Sequence, residues 1–128
     1  MAKTALVTGA SSGIGREIAR DLSARGFRVI LSARREERLR ELAEELGDNT
    51  RVIVCDVSDR EECLRLYEET KSEKISVLVN CAGFGAVGSF DKLPLDTELK
   101  MIDTNVTAVH MLTKLFLKDF VAADRGYI

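Results

Sequence analysis

Near the amino terminus the chain reads Lys3-Thr4-Ala5-Leu6-Val7-Thr8-Gly9-Ala10-Ser11-Ser12-Gly13-Ile14-Gly15. Residues 3–8 form a short run rich in Val, Leu and Thr, which predicts a strand, and the glycines that follow predict a tight loop. After the loop, an amphipathic helix with a left-handed glycine at its end is predicted from Ile14, Ile18, Leu22 and Gly26. In this arrangement bare backbone can approach a pyrophosphate at the positive end of the helix.

The alternation of strand and helix repeats along the chain. Further strands are predicted at 28–32, 51–55 and 76–80, a second helix at 36–46, and a third helix that begins at the stretch 58–61. A last, long helix runs from Pro94 to about Phe120, with its inward stripe predicted at Leu99, Ile102, Val106, Val109, Thr113 and Phe116. Apolar strands that are each followed by a helix predict a parallel sheet covered on both faces. The predicted fold class is α/β, a doubly wound parallel sheet of the Rossmann type.

Two further signals mark the ends of elements. Ser58 and Glu61 have the spacing of a capping box at the start of the third helix. Gly126-Tyr127-Ile128 follows a helix and predicts the beginning of a fifth strand. We therefore expect one domain, residues 1–128, truncated after about four strands and incomplete at its C-terminus.

Composition limits the classes of partner. Hydrophobic residues make up 45% and charged residues 31% of the chain, as in a globular domain, and the net charge is −2. A chain with this net charge has no positive potential that would attract the phosphates of nucleic acid. Its apolar runs are far shorter than the about 20 residues that a helix needs to cross a bilayer. We expect no nucleic acid or membrane partner and a cytoplasmic location. The three cysteines, Cys55, Cys63 and Cys81, have neither the spacing of a disulfide framework nor that of zinc ligands. We therefore expect free thiols and no metal site.

The spacing Gly-x-x-x-Gly-x-Gly from Gly9 to Gly15 closely resembles the fingerprint of the short-chain dehydrogenase/reductase family. Asn80-Cys81-Ala82-Gly83 resembles that family's Asn-Asn-Ala-Gly motif, with Cys81 in place of the second asparagine. Asp56 is similar to its acidic residue beside the adenine, and Asn105 to its helix-interrupting asparagine. The resemblance implies hydride transfer between a nicotinamide cofactor and a carbonyl or alcohol substrate. It implies a catalytic role for Asn105 and cofactor binding by Gly9, Ser11, Ser12, Gly13, Ile14, Gly15, Asp56, Val57, Asn80, Ala82 and Gly83.

Structural alternatives for these residues stay open. The glycine loop could be a tight turn without a ligand, Asp56 a turn or cap residue, and Asn105 a solvent-facing helical position. A functional role for Asn105 is favoured because a mid-helix amide beside apolar Ile102 and Val106 is locally unfavourable.

A basic pair after the second strand bears on the choice of cofactor. NAD sites of this type have an acidic residue near this position, whereas this chain has Ala33 followed by Arg34 and Arg35. Adjacent arginines are poorly placed at the start of a helix, whose dipole favours anions, so they suit a 2′-phosphate. We therefore predict that Arg34 and Arg35 bind NADP(H) in preference to NAD(H). The alternative is a solvated basic turn balanced by Glu36 and Glu37.

The resembled family also implies a proton relay of a serine and a tyrosine four residues before a lysine. The match Tyr67 to Lys71 lies on the third helix, ahead of Asn80, and we predict that Tyr67 packs with Leu64 while Lys71 is solvated. Tyr127 has no residue four places later, and we assign no role to a lone histidine such as His110. The chain as given is therefore expected to be inactive.

Two other functions stay open: a non-catalytic nucleotide-binding module, and a non-binding structural fragment with an open sheet edge. A homo-oligomer is expected because the long helix carries an apolar run that in related proteins pairs across a two-fold axis, here Met111, Leu112, Leu115, Phe116 and Leu117.

Overall fold

The computed structural model describes residues 2–128, all of the chain except Met1. Its strands are β1 (Thr4–Thr8), β2 (Arg28–Ala33), β3 (Thr50–Val54) and β4 (Ile75–Val79). Its helices are α1 (Gly13–Ala24), α2 (Glu36–Leu46), α3 (Arg60–Thr70), α4 (Leu95–Ile102) and α5 (Ala108–Ala123). The four strands are parallel in the order β3-β2-β1-β4, and helices cover both faces. The predicted Rossmann-type α/β fold is confirmed.

Alternate strand residues divide the core into two layers. Leu6 of β1 and Ile30 of β2 belong to the layer beneath α3 and α5, where they share a cluster with Phe116. Val7 and Leu31 belong to the layer beneath α1 and α2. Every residue of β1 is buried, as expected of a parallel strand that is covered on both faces.

Helix α1 approaches the sheet through its smallest residues. Its buried positions are Gly15 and Ala19, whereas Ile14 is 75% exposed. A Cβ on Gly15 would overlap the carbonyl oxygen of Gly9, so the close approach of helix to loop requires glycine there. The predicted apolar face is therefore wrong at Ile14, because close packing against the loop selects the inward face.

Helices α4 and α5 form one long helix that is interrupted by a π-helical turn at Asp103–Thr107. From the turn onward the buried positions recur every four residues, at Thr104, Ala108, Leu112, Phe116 and Phe120. The predicted stripe is wrong at Leu99 and Ile102, which are exposed because α4 buries none of its residues. It is also wrong at Val106, which is exposed because the extra residue of the π turn places Thr104 and Ala108 inward instead. Neither this helix nor any other among residues 2–128 is long and apolar enough to cross a membrane.

The apolar run that was expected to pair between two copies lies mostly inside the fold. Leu112 and Phe116 are 1% exposed, and Met111 and Leu115 pack against the same core. Only Leu117 of that run is exposed, so the prediction that this run forms the surface of pairing between two copies is wrong. The large apolar residues of the long helix that are exposed are instead Leu95, Leu99, Ile102, Val106, Leu117 and Val121.

The ends of two elements also bear on the sequence predictions. The cap of α3 is Asp59, whose carboxylate accepts from the amide of Glu61 at 2.9 Å, so the predicted capping box at Ser58 is wrong. The Ser58 side chain instead bonds to Asp56. At the position of the predicted fifth strand, Tyr127 forms a single parallel bridge with Val77 of β4.

Candidate cofactor site

The site lies at the carboxyl ends of β1 and β4. The chain leaves β1 towards β2 on one side, whereas β4 lies on the other side of β1, so a crevice opens between the loops that follow β1 and β4. This switch of direction is where open parallel sheets bind their ligands. The predicted motif residues of both loops therefore meet at one edge of the sheet.

Close contact with the second loop requires glycine at position 9. Gly9 has φ of +64°, and a Cβ there would lie 2.5 Å from the carbonyl oxygen of Cys81. Gly13 also has a positive φ, of +57°, but nothing lies within 4 Å of where its Cβ would be. The loop is thus tightly packed on its inner side at Gly9 and open at Gly13, where α1 begins.

The first turn of α1 is electrostatically uncompensated. Ser12 is its N-terminal cap residue, yet the Ser12 side chain caps no amide, and no acidic residue lies in the first turn. By contrast, α2, α3 and α4 each carry acidic residues in their first turns. Free amides and an uncompensated positive dipole end suit an anion, so the start of α1 fits the diphosphate of a dinucleotide.

The Thr8 side chain, at the end of β1, forms hydrogen bonds to the loop that follows β4. This role was not predicted from the sequence. The Thr8 hydroxyl accepts from the amides of Cys81 at 3.2 Å and Ala82 at 3.3 Å, and it donates to the carbonyl oxygen of Val79 at 3.3 Å. Thr8 is 2% exposed, so these bonds are shielded from water. They fix the chain leaving β4 against the end of β1.

Beside the glycine loop lies a cavity of about 80 Å³ that opens to solvent between exposed Arg34, Arg35 and Gly83. It is lined by Gly9, Ser11, Ser12, Ser32, Ala33, Arg34, Arg35, Cys55, Asp56, Val57, Ala82, Gly83, Phe84 and Thr104. The fold therefore brings together most of the predicted cofactor residues. Gly13, Ile14, Gly15 and Asn80 do not line this cavity.

The basic pair lies at the rim of this cavity. One guanidinium nitrogen of Arg35 donates to the hydroxyls of Ser11 and Ser12, each at 3.1 Å. Arg34 has no such partner among residues 2–128 and is exposed. Arg35 therefore orders the loop hydroxyls, and Arg34 is the cation left free to meet a ligand.

Asp56 forms part of the cavity wall. Partial burial would raise the pKa of this carboxyl, but hydrogen bonds from the Ser58 hydroxyl and amide lower it below its usual value. The charges of Lys100 and Arg34 act in the same direction. Asp56 is therefore an ionised hydrogen-bond acceptor at neutral pH.

A buried hydroxyl in the cavity was also missed by sequence reasoning. Ser32 is 1% exposed, and its Oγ has no hydrogen-bond partner anywhere in the described part of the chain. No local pattern marks this residue, because Ser32 reads as an ordinary strand position. Its isolation becomes visible only when the surrounding strands are in place.

Two predicted site residues have their side chains engaged within the fold. The Asn80 amide donates to the Thr113 hydroxyl at 3.2 Å, which directs it towards α5. Asn105 lies in the π-helical turn, and its side chain bonds to both the amide and the carbonyl of Phe84. The cofactor role of Asn80 and the catalytic role of Asn105 stay predictions.

The pair Tyr67 and Lys71 lies away from the cavity, on the flank of the sheet. Tyr67 packs edge-on against Phe116, with ring centroids 5.1 Å apart, and donates to Asp119 at 2.7 Å. The expected packing with Leu64 is wrong, because Leu64 points outward and is 41% exposed. The hydrogen bond to Asp119 raises the pKa of Tyr67 to about 12, opposite to what a proton donor at neutral pH needs.

A larger cavity of about 320 Å³ lies at the amino end of β4, near Ile75, Phe116 and Arg125. It contains none of the glycine-loop residues and lies at the wrong end of the strands for a nucleotide. We therefore place the candidate site at the smaller cavity.

A glycine loop, free helix amides and a basic cavity at the switch point of a parallel sheet are features of the doubly wound α/β class of proteins that bind nucleotides. The chain matches the short chain dehydrogenase family over residues 3–128, and it belongs to that family. The predicted family membership is confirmed.

Relatives and solved structures extend the match. An uncharacterized oxidoreductase of Staphylococcus saprophyticus is 36% identical over 98% of this chain and 56% of its own length. The 3-oxoacyl-(acyl-carrier-protein) reductase of Rickettsia prowazekii is also 36% identical, over 98% of this chain and 52% of its own. A metagenomic short-chain oxidoreductase solved with NADP has a TM-score of 0.91 and 34% identity over 97% of this chain and 58% of its own. The chain thus spans about half the length of the curated relatives it matches.

Proposed function

We propose that this chain forms the cofactor-binding half of an NADP(H)-dependent oxidoreductase that transfers hydride between the nicotinamide cofactor and a carbonyl or alcohol. The observation that carries the proposal is the open, uncompensated start of α1 directly beside the cavity rimmed by Arg34 and Arg35. The relative from Rickettsia prowazekii is named as a 3-oxoacyl reductase, which supports a carbonyl substrate.

Preference for NADP(H) rests on the charges around the end of β2. Ala33 offers no carboxylate to a ribose, and the exposed guanidinium of Arg34 lies where a 2′-phosphate would need a cation. Arg35 contributes by holding Ser11 and Ser12 at the same rim. The neighbour solved with NADP supports this choice.

Each part of the site has a separate task in this proposal. The amides of Gly13, Ile14 and Gly15 bind the diphosphate, because these first-turn groups have no acceptor within the helix. Asp56 and Val57 bind the adenine, with Asp56 as the acceptor. When bound, the nicotinamide cofactor supplies or takes the hydride.

The loop after β4 closes the other side of the site. Asn80, Ala82 and Gly83 bind the nucleotide from this loop, and Thr8 holds their backbone in place. Asn105 acts on the reaction by positioning the same loop through Phe84. This gives Asn105 a place in catalysis that does not require its amide to touch substrate.

We expect the polypeptide of 128 residues to bind the cofactor without turning over substrate. Tyr67 lies on α3 and Lys71 directly follows this helix, and both are away from the cavity, so this pair forms no proton relay at the site. Loss of general acid catalysis alone costs about 10² to 10⁴ in rate. The second candidate function, a non-catalytic nucleotide-binding module, is favoured by this same placement of Tyr67.

Calorimetric titration of the purified chain with NADPH and with NADH tests the proposal. We expect NADPH to bind at least about tenfold more tightly, since one charge-assisted contact to a phosphate is worth about 1.5 to 3 kcal/mol. Equal affinities would contradict the NADP(H) preference, and no binding of either nucleotide would contradict the site itself. Measurable NADPH oxidation with a ketone, by material of verified mass, would contradict the expected inactivity.

Homo-oligomerisation and a cytoplasmic location remain part of this proposal. Exposed apolar residues on the outer face of the long helix, such as Ile102 and Val106, support association with another surface. Sedimentation of the purified chain over a range of concentrations measures the oligomeric state.

A further inference from the structure

The Ser32 hydroxyl is an unpaired polar group inside the candidate site. Ser32 is the fifth residue of the six in β2. Its carbonyl oxygen accepts from the amide of Ala10 at 3.2 Å. The side chain, which is 1% exposed, has no partner among residues 2–128.

The direction of this hydroxyl follows from the register of the sheet. Ser32 is paired with Thr8 on one side and with Ile53 on the other. Registered residues of parallel strands point to the same face, and Ile53 belongs to the layer beneath α3 and α5 together with Cys55 and Val57. The Ser32 side chain therefore faces the wall of the cavity formed by Cys55 and Val57.

Two neighbouring polar side chains, those of Thr8 and Cys55, bond to other groups. The Thr8 hydroxyl already donates one hydrogen bond and accepts two. The Cys55 thiol bonds to the carbonyl oxygen of Glu62, and burial raises its pKa to about 12, so it stays neutral. Leaving a buried hydroxyl unpaired costs free energy, and native proteins rarely leave one without a purpose.

We propose that the Ser32 hydroxyl is a hydrogen-bonding contact for the adenosine portion of the bound dinucleotide. The inference rests on the proposed function, because it concerns the same cavity. Ser32 faces the side of Val57 and Asp56, which line the adenine wall, whereas Arg34 and Arg35 rim the cavity where a 2′-phosphate would lie. The contact therefore involves a polar atom that NADPH and NADH share.

This role gives Ser32→Ala two effects of opposite sign. In the free protein the substitution removes an unpaired buried hydroxyl, so the melting temperature rises by about 2 to 4 °C. In the complex it removes a hydrogen bond, so the affinity for nucleotide falls about tenfold. A purely structural serine would not combine greater stability with weaker binding.

The matched control is Thr70→Val, which deletes another fully buried hydroxyl. Thr70 lies at the end of α3, away from the cavity, and its hydroxyl donates to the carbonyl oxygen of Leu66 at 2.8 Å. Its substitution should lower the melting temperature and leave nucleotide affinity within about twofold of wild type.

The experiment measures melting temperature and the dissociation constants of NADPH and NADH for the full chain and both variants. We expect Ser32→Ala to melt higher and to lose the same factor in affinity for both nucleotides. Unchanged affinity for both would overturn the inference while leaving the proposed function intact, and so would a loss confined to NADPH, which would assign Ser32 to the 2′-phosphate. If wild type binds neither nucleotide, the proposed function fails, and the inference fails with it.

Discussion

The side-chain amide of Asn105 bonds to both ends of the Phe84 residue. Its oxygen accepts from the Phe84 amide at 3.0 Å, and its nitrogen donates to the Phe84 carbonyl oxygen at 2.8 Å. Asn105 lies within the π-helical turn, so the interruption of the long helix is fastened to the loop that follows β4. π-helical turns occur often at functional sites, and this one holds a wall of the candidate cavity.

Replacing Asn105 with Asp tests this connection. A carboxylate still accepts from the Phe84 amide but cannot donate to its carbonyl oxygen, so one hydrogen bond is lost and the free energy of unfolding falls by about 1 kcal/mol. Urea unfolding measures the change, and NADPH affinity should fall with it as the loop loosens. His110→Ala, an exposed change on the same long helix, is the control and should alter neither quantity. A variant as stable as wild type would show that the contact contributes nothing.

Gly13 and Gly26 provide a matched pair for the open end of α1. Both have positive φ, of +57° and +90°, and at neither position would an added Cβ meet a more distant part of the chain within 4 Å. Substitution by alanine strains each backbone by about 1 kcal/mol, so both variants should unfold at lower urea concentration.

Only Gly13→Ala should also weaken NADPH binding, by about tenfold or more, because its new methyl group enters the space of the diphosphate. Gly26 lies beyond the other end of α1 and should leave the dissociation constant unchanged. Equal affinity for the two variants would mean that the start of α1 does not bind the nucleotide.

Arg34→Ala should reduce NADPH affinity by about tenfold or more and leave NADH affinity unchanged, because it removes the free cation at the cavity rim. The control is Arg40→Ala on α2, where an exposed guanidinium pairs with Glu36 at 3.3 Å. It removes the same charge outside the cavity. Calorimetric titration of both variants with NADPH and NADH measures the affinities. An equal loss of NADPH affinity in both variants would contradict a direct contact between Arg34 and the 2′-phosphate, because the loss would then follow from the net charge of the protein alone.

The titration of Tyr67 should lower the stability of the folded chain at high pH. The hydrogen bond to Asp119, with burial, raises the pKa of Tyr67 to about 12 in the folded chain, above the about 10 of an unfolded tyrosine. The unfolded state then releases its proton first, so the free energy of unfolding falls as pH rises from about 10 to about 12.

Denaturant unfolding of wild type and Tyr67→Phe across that pH range measures this effect. The phenylalanine variant should be less stable at neutral pH, where it lacks the bond to Asp119, and should show a smaller decline above pH of about 10. Parallel declines in the two proteins would mean that Tyr67 titrates normally. Such a result would remove one reason for excluding it as a proton donor.

Local sequence signals were sufficient to predict the architecture and to propose the residues of the candidate site, most of which line one cavity. Alternating strand and helix patterns, the glycines from Gly9 to Gly15 and the basic pair after β2 are short-range signals, and each depends on neighbouring residues only. The carboxyl ends of parallel strands meet at one edge, so the motif positions could be assigned to one site before their contacts were known.

Tertiary structure alone determined which atoms within that site are engaged and which are free. Thr8 bonds to Ala82 across 74 positions, and Ser32 stands unpaired, because strands distant in sequence are neighbours in the sheet. The face that the long helix turns inward depends on its π turn. The face that α1 turns inward depends on the close approach of Gly15 to Gly9. Neither effect can be predicted from the period of an ideal helix. The period of apolar residues in the sequence indicates whether a segment is a helix or a strand. Whether a polar atom finds a hydrogen-bond partner depends on how helices and strands pack against one another.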